Sequence, residues 1–220
     1  MSRTVKRPYD NQGRRAGSEA TRTRILEVAA ELLTSQGYRA TTIAEIARRA
    51  EVHVDTIYAL VGRKPALLRE LIERAISGTD RPVAPAERDY VRAMNAVVDP
   101  ARKLTIYAGA IRGIHARMAP LLLALRDAAS TEEEAEQVWR EIGDRRARNM
   151  RDLVRGLGPD GTLRAGVSID EAADVIWATA SAEMFVLVTA ERGWTPEAYE
   201  RWLADTWIRM LLRSRRRALE

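Results

Sequence analysis

Apolar residues recur along most of this chain at intervals of three and four, the spacing that places them on one face of a helix. From about residue 18 or 19, Ile25, Val28, Ala29, Leu32 and Leu33 share a side, and Gly37 stops the run in the left-handed manner open to glycine. Residues 41–60 then hold two short faces. Ile43, Ile46, Ala47 and Ala50 form the first, with Thr42 as its N-cap and Glu45 placed to close a capping box. The chain restarts at His53, and Ile57, Tyr58, Leu60 and Val61 give the second face before Gly62. Two short helices joined by a tight turn make a helix-turn-helix, whose second helix is the one that would enter a DNA major groove.

The pattern continues helical to the end. Lys64-Pro65 opens a helix with Leu67, Leu68, Leu71, Ile72, Ala75 and Ile76 inward, and the Gly- and Pro-containing stretch 77–85 reads as a linker. Beyond it the spacing predicts a short helix over 86–97, then one from Asp99-Pro100 to about 117 carrying Leu104, Tyr107, Ala108, Ile111, Ile114 and His115. Pro120 should bend or restart the chain before a short helix over 121–129. Ser130 and Glu133 suggest a capping box for a long charged helix to about 157, and Gly158-Pro159-Asp160-Gly161 ends it. A second box, Ser168 with Glu171, opens a helix over 169–192, and Thr195-Pro196 opens the last, over 196–215. The expected fold class is all-α: a basic disordered arm over 1–17, a helix-turn-helix domain over 18–77 and a helical domain over 86–217.

Composition narrows the chemistry. With no cysteine and only His53 and His115, disulfides, thiol catalysis and imidazole or thiolate metal centres are excluded, so neither metal nor cofactor is expected. No apolar run approaches the roughly 20 residues needed to cross a bilayer, and the basic start is not followed by an apolar signal segment; the expectation is a cytoplasmic protein without membrane contact. The net charge of +5 is concentrated: residues 1–24 hold seven basic and two acidic side chains, and the remaining residues hold 29 of each. Such an arm either contacts a phosphate backbone or minor groove, or only solubilises the chain. The basic cluster at 213–217 reads as a solvated helix end.

Residues 22–72 resemble the N-terminal domain of the TetR, or tetracycline-repressor, family. The resemblance is carried by the first helix ending at Gly37-Tyr38, by Thr41-Thr42, by the run from Ile43 to Ala50, by Val52, by Thr56-Ile57-Tyr58, and by Lys64 with Leu67-Leu68. Three positions depart from it: Glu51 stands where the family usually has Gly, His53 where Ser or Thr commonly caps, and Val61 where an aromatic is usual. Glu51 then has to take a left-handed conformation at a cost of about 1 kcal/mol, and it brings an anion near DNA. The resemblance implies a ligand-responsive transcriptional regulator, a repressor acting on an operator in double-stranded DNA, working as a homodimer through its last two helices and released by a small-molecule effector.

On that basis Thr42, Thr56, Tyr58 and Lys64 are the expected phosphate contacts, against the plainer readings of Thr42 as an N-cap and Tyr58 as a core aromatic. His53, Val54 and Asp55, at the opening turn of the second helix, are the expected base readers. Tyr107, Arg112, His115, Trp139, Trp177 and Met184 could line an apolar cavity for an apolar or aromatic effector, although residues at such spacing also simply fill a core. Tyr199, Leu203 and Met210 are assigned to the dimer seam or the core beneath it. Two competing classes are an all-α interaction protein without specific DNA binding, against which the basic arm and Lys64 argue, and a helical-bundle enzyme. Glu133, Glu134 and Glu141 would be its carboxylates, but their helix reads as charged all round, and no Gly-rich phosphate loop, Gly-x-Ser-x-Gly elbow or His-Glu-x-x-His is present.

Overall fold

In a computed structural model that describes residues 11–78, 83–159 and 162–213, the apolar spacing is realised as helix after helix. No strand forms among the described residues; an isolated backbone bridge joins Leu163 to Leu212. The chain divides into two compact units, Met1–Leu67 and Leu68–Glu220.

The first unit is built from α1 (Asn11–Ala40), α2 (Ile43–Arg49), α3 (Val54–Leu60) and the opening of α4 (Lys64–Ser77). Ile25, Leu26, Ala29, Leu32 and Leu33 of α1 are buried with Ile46, Ala47, Ala50 and Ile57, so that α1 packs on both α2 and α3. Gly37, at φ 81 and ψ 174, breaks α1 and lets Tyr38 turn into the core. The helix starts earlier than the apolar pattern indicates: residues 11–17, expected in a disordered arm, are helical, since Gln12, Arg14, Arg15 and Ala16 are good helix formers that need no buried face. Residues 1–10 of the arm lie outside the described residues.

Between α2 and α3 the backbone makes the turn by itself. Ala50 caps α2, Glu51 takes φ 53, the Val52 amide donates to the Ala47 carbonyl at 3.0 Å and the Glu51 amide to that of Arg48 at 3.4 Å. This is a Schellman arrangement with Glu where Gly is the easy choice. Thr42 accepts from the Glu45 amide at 3.1 Å, as expected of an N-cap. The capping box is not completed, because the Glu45 carboxylate takes Arg48 in a bidentate pair at 2.9 and 2.7 Å instead.

The later part of α4 belongs to the second unit, where Arg69 pairs with Glu141, Glu73 with Arg145, and Arg117 donates to the Ala75 carbonyl at 3.1 Å. The division therefore falls within α4, ahead of the stretch 77–85 that composition picks out; residues 79–82 of that stretch lie outside the described residues. A 3-10 turn (Pro85–Glu87) and α5 (Asp89–Asn95) replace the single helix expected over 86–97. α6 (Pro100–Ala129) runs unbroken through Pro120. The proline removes one backbone donor, but buried residues on both sides of it, from Leu104 to Ala128, hold the helix against α5, α7 (Glu133–Arg155), α9 (Ala182–Val186) and α10 (Pro196–Leu211).

α7 is not charged all round. Ala135, Val138, Ile142, Met150 and Val154 form a buried stripe, leaving Glu133, Glu134 and Glu141 exposed. Its N-cap is Glu132 and the expected Ser130–Glu133 box is absent, since the Ser130 hydroxyl donates to the Asp127 carbonyl at the end of α6. The Ser168–Glu171 box does form at the head of α8 (Ile169–Thr179). The helix expected over 169–192 is interrupted: α8 ends at Ala180, Ser181 caps α9, and a π-turn (Leu187–Glu191) follows, with a bend of 43° across the break. No single helix among the described residues is long and apolar enough to cross a membrane. Of the basic cluster at 213–217, only Arg213 is described.

Candidate functional site

The turn at Glu51 decides what α3 can present. With Ile57 buried, His53, Val54, Asp55 and Tyr58 lie on the solvent side; Val54 is 36% and Tyr58 49% exposed. Tyr58 is thus a surface residue and not part of the apolar face that its spacing suggests. His53 is the N-cap of α3 but makes no side-chain cap hydrogen bond, which leaves its imidazole uncommitted to the helix. Thr42 is exposed and Thr56 half-buried. Arg22, which the apolar pattern does not single out, positions α3 from behind: its Nε donates to the Leu60 carbonyl, at the end of the helix, at 3.2 Å.

Lys64 has a structural position. Its Nζ donates to the Tyr38 and Thr41 carbonyls at 2.9 and 3.0 Å and sits 3.7 Å above the Tyr38 ring, satisfying backbone acceptors at the end of α1. Beside α3, Asp55, Thr56, Ala59 and Leu60 share a shallow depression with Gly17, Ser18 and Thr21 of α1. Residues 17–21 of α1 therefore lie next to the exposed helix.

In the second unit, a cavity of about 290 Å³ lies among α5, α6 and the end of α7, lined by Arg88, Tyr90, Val91, Met94, Lys103, Tyr107, Asn149, Met150, Asp152, Leu153 and others. Tyr107 is the member of the expected ligand set that lines it. Burial holds the Tyr107 phenol well above its ordinary pKa, so it stays a donor, and its hydroxyl meets the Met150 thioether at 3.4 Å. The other five lie elsewhere. Arg112 pairs with Glu200 at 2.5 Å and Glu197 at 3.5 Å, Trp139 and Met184 are half-buried, and Trp177 is 40% exposed beneath the Arg146 guanidinium.

His115 is committed to the break after α8. Its Nε2 lies 3.0 Å from the Ala180 carbonyl, and its ring stacks on Phe185 at 5.8 Å. Burial lowers its pKa to about 4, so it is neutral, and its Nδ1 is buried without a partner among the described residues. Arg146, itself held below its ordinary pKa by burial, donates to the Ala180 carbonyl at 2.7 Å and to that of Trp177. The Tyr199 hydroxyl donates to the Thr179 carbonyl at 2.8 Å. Side chains from three other helices thereby satisfy carbonyls that a continuing helix would have used.

Of the stripe assigned to the dimer seam or the core beneath it, two members lie in the core. Tyr199 and Leu203 are fully buried within the protomer, because the hydrogen bond to Thr179 and the packing of α10 on α6 draw them inward; of the expected stripe only Met210 is exposed. Among the described residues, the large apolar side chains exposed beyond residue 168 are Ile169, Trp177, Leu187 and Met210 on helical elements and Trp194 in the loop before α10.

Residues 25–71 match the model for bacterial regulatory proteins of the tetR family. Along nearly its whole length the chain superposes on solved structures of regulators. NalD of Pseudomonas aeruginosa, the secondary repressor of the MexAB-OprM multidrug efflux pump, is 22% identical with a TM-score of 0.71, covering 90% of this chain and 98% of that one. A protein of Saccharomonospora viridis described as a transcriptional regulator, in complex with choline, is 19% identical with a TM-score of 0.69 over 89% and 99% of the two chains. The fatty acid degradation regulator FadR of Bacillus halodurans is 17% identical with a TM-score of 0.67 over 86% and 94%. No curated protein matches the sequence. The structural likenesses establish the fold, and the match over residues 25–71 identifies the helix-turn-helix domain as one of the tetR family.

Proposed function

We propose that this protein is a transcriptional repressor that binds a two-fold symmetric operator as a homodimer and is released by a small molecule held in its second unit. The observation that supports this best is the exposed face of α3, where His53, Val54, Asp55 and Tyr58 stand clear of a core that buries Ile57. In this reading Thr42, Thr56, Lys64 and the Tyr58 hydroxyl contact phosphates. Val54 touches a thymine methyl, while His53 and Asp55 face base edges, Asp55 as an acceptor for a cytosine amino group. The dimer seam uses the apolar side chains exposed on α8, the π-turn and α10, including Met210. Such a repressor acts on DNA in the cytoplasm and carries out no chemistry of its own.

Fluorescence anisotropy with DNA fragments from around the gene itself tests the reading. One fragment should bind far more tightly than unrelated DNA. Tyr58→Phe should weaken all sequences alike, by about tenfold if one hydrogen bond to a charged phosphate is lost. Val54→Ala should instead change preference at one base step in each half-site. Binding that is equally weak for every fragment, or a Tyr58→Phe protein with native affinity, would sink the assignment of α3.

A further inference from the structure

We propose that the cavity among α5, α6 and α7 takes a small organic monoanion, a single-ring aromatic carboxylate, with the carboxylate on Arg88. This deepens, and rests on, the reading of the second unit as the effector-binding part of the molecule.

Size comes first. A cavity of about 150 Å³ suffices for benzene, so the 290 Å³ here holds one ring with a short polar arm and little more. The walls are mixed in character. Val91, Met94, Met150 and Leu153 offer apolar and thioether surface suited to a ring, whereas Arg88 and Lys103 bring two positive charges.

Arg88 carries the argument. Its Nε is sealed from solvent and meets no acceptor among the described residues, while Nη1 reaches the Tyr90 hydroxyl at 3.4 Å. A guanidinium cannot shed its proton to escape such a position, so it needs an acceptor brought from outside. A carboxylate entering the cavity takes the Nη2 side of the guanidinium, and a small turn of the side chain brings the sealed Nε onto it as the second of two parallel hydrogen bonds. The one carboxylate in the lining, Asp152, is paired with Arg155 at 3.1 Å, and Lys103 is held at the wall by the Gly156 carbonyl, so the cavity keeps an excess of positive charge. The Tyr107 hydroxyl, whose present partner is a weak thioether acceptor, is free to turn its proton towards an oxygen of the ligand.

Calorimetric titration of the full-length protein with phenylacetate, its neutral amide phenylacetamide, and choline tests this, and no DNA is present. Phenylacetate should bind at least tenfold more tightly than phenylacetamide. Arg88→Gln should erase that preference while Arg88→Lys keeps part of it, and Met94→Trp should block both compounds by filling the ring site. Equal affinity of the native protein for acid and amide, no binding of phenylacetate, an unchanged acid-to-amide ratio in Arg88→Gln, or tighter binding of choline would each overturn the proposal. The acid and amide comparison on the native protein decides the matter even where a variant fails to fold. A protein that binds its operator but not phenylacetate would lose this inference and keep the function proposed above; one that binds phenylacetate but no DNA fragment would do the reverse.

Discussion

The helical chain is interrupted in two places that solve one problem by opposite means. Between α2 and α3 the backbone turns alone: Glu51 enters the left-handed region and the Val52 and Glu51 amides take up the carbonyls of α2. Between α8 and α9 the backbone of Ala180 keeps a negative φ, at φ −86 and ψ 38, and the carbonyls are taken by His115, Arg146 and Tyr199. A turn made by backbone depends on one residue. A break made by side chains depends on elements 20 to 65 residues away in sequence, and it ties α6, α7 and α10 to the end of α8.

If that contrast is sound, disturbing the second break should cost far more than easing the first. The largest effect is on pH dependence. His115 is held at a pKa of about 4 against an ordinary 6.5, so between those values the unfolded chain binds the proton that the native protein refuses, and stability falls as the pH falls. About 3 kcal/mol should be lost between pH 6.5 and 4 from this group, with no further loss from it at lower pH and none above neutrality. Urea unfolding at a series of pH values checks this, with His115→Gln as the reference lacking that portion; identical profiles for the two proteins would break the comparison.

Next comes Arg146→Met. It keeps the stem but leaves the Trp177 carbonyl without its guanidinium donor, and should lower unfolding stability by about 2 kcal/mol, the value of charge-assisted hydrogen bonds less the relief of unburying a cation. Native stability in this variant would mean that the break at Ala180 does not depend on side chains. The smallest effect has the opposite sign: Glu51→Gly should raise stability by about 1 kcal/mol, since glycine takes the left-handed conformation freely. Operator affinity measured at low salt should rise with it, because an anion leaves the vicinity of the phosphates. A destabilised Glu51→Gly protein would mean that the Glu51 side chain, and not the backbone, holds that turn.

The same contrast governs what could be read in the sequence. The N-cap at Thr42, the left-handed position at Glu51 and the Ser168–Glu171 box are local events, decided by residues within four positions of one another, and each was legible. Glu45 and Ser130 were equally plausible box members, but Arg48 and the Asp127 carbonyl offered nearer partners. The break at Ala180 left one local mark, the Ser181 cap of α9, while the donors to its carbonyls come from three other helices. Tyr58 satisfies the apolar spacing of α3, and only the burial of Ile57 in its place shows which side faces out. Arg88 precedes a short helix, and nothing next to it in sequence signals a guanidinium sealed against a cavity wall. A local mark was available for Met94, which stands three residues after Val91 on one face of α5.

The unbroken course of α6 through Pro120 has a mechanical consequence. A helix of 30 residues is a rod about 45 Å long, and it resists bending far more than it resists rolling about its own axis between its neighbours. Lys103 and Tyr107 on this rod line the cavity, and Arg117, about 15 Å further along it, holds the Ala75 carbonyl at 3.1 Å. At the radius of a helix with its side chains, a roll of about 10° carries a side chain by about 1 Å, which is enough to undo a hydrogen bond of that length. Were the rod to turn like a key, a small change of angle where the cavity grips it would become the presence or absence of a single bond at the end of α4.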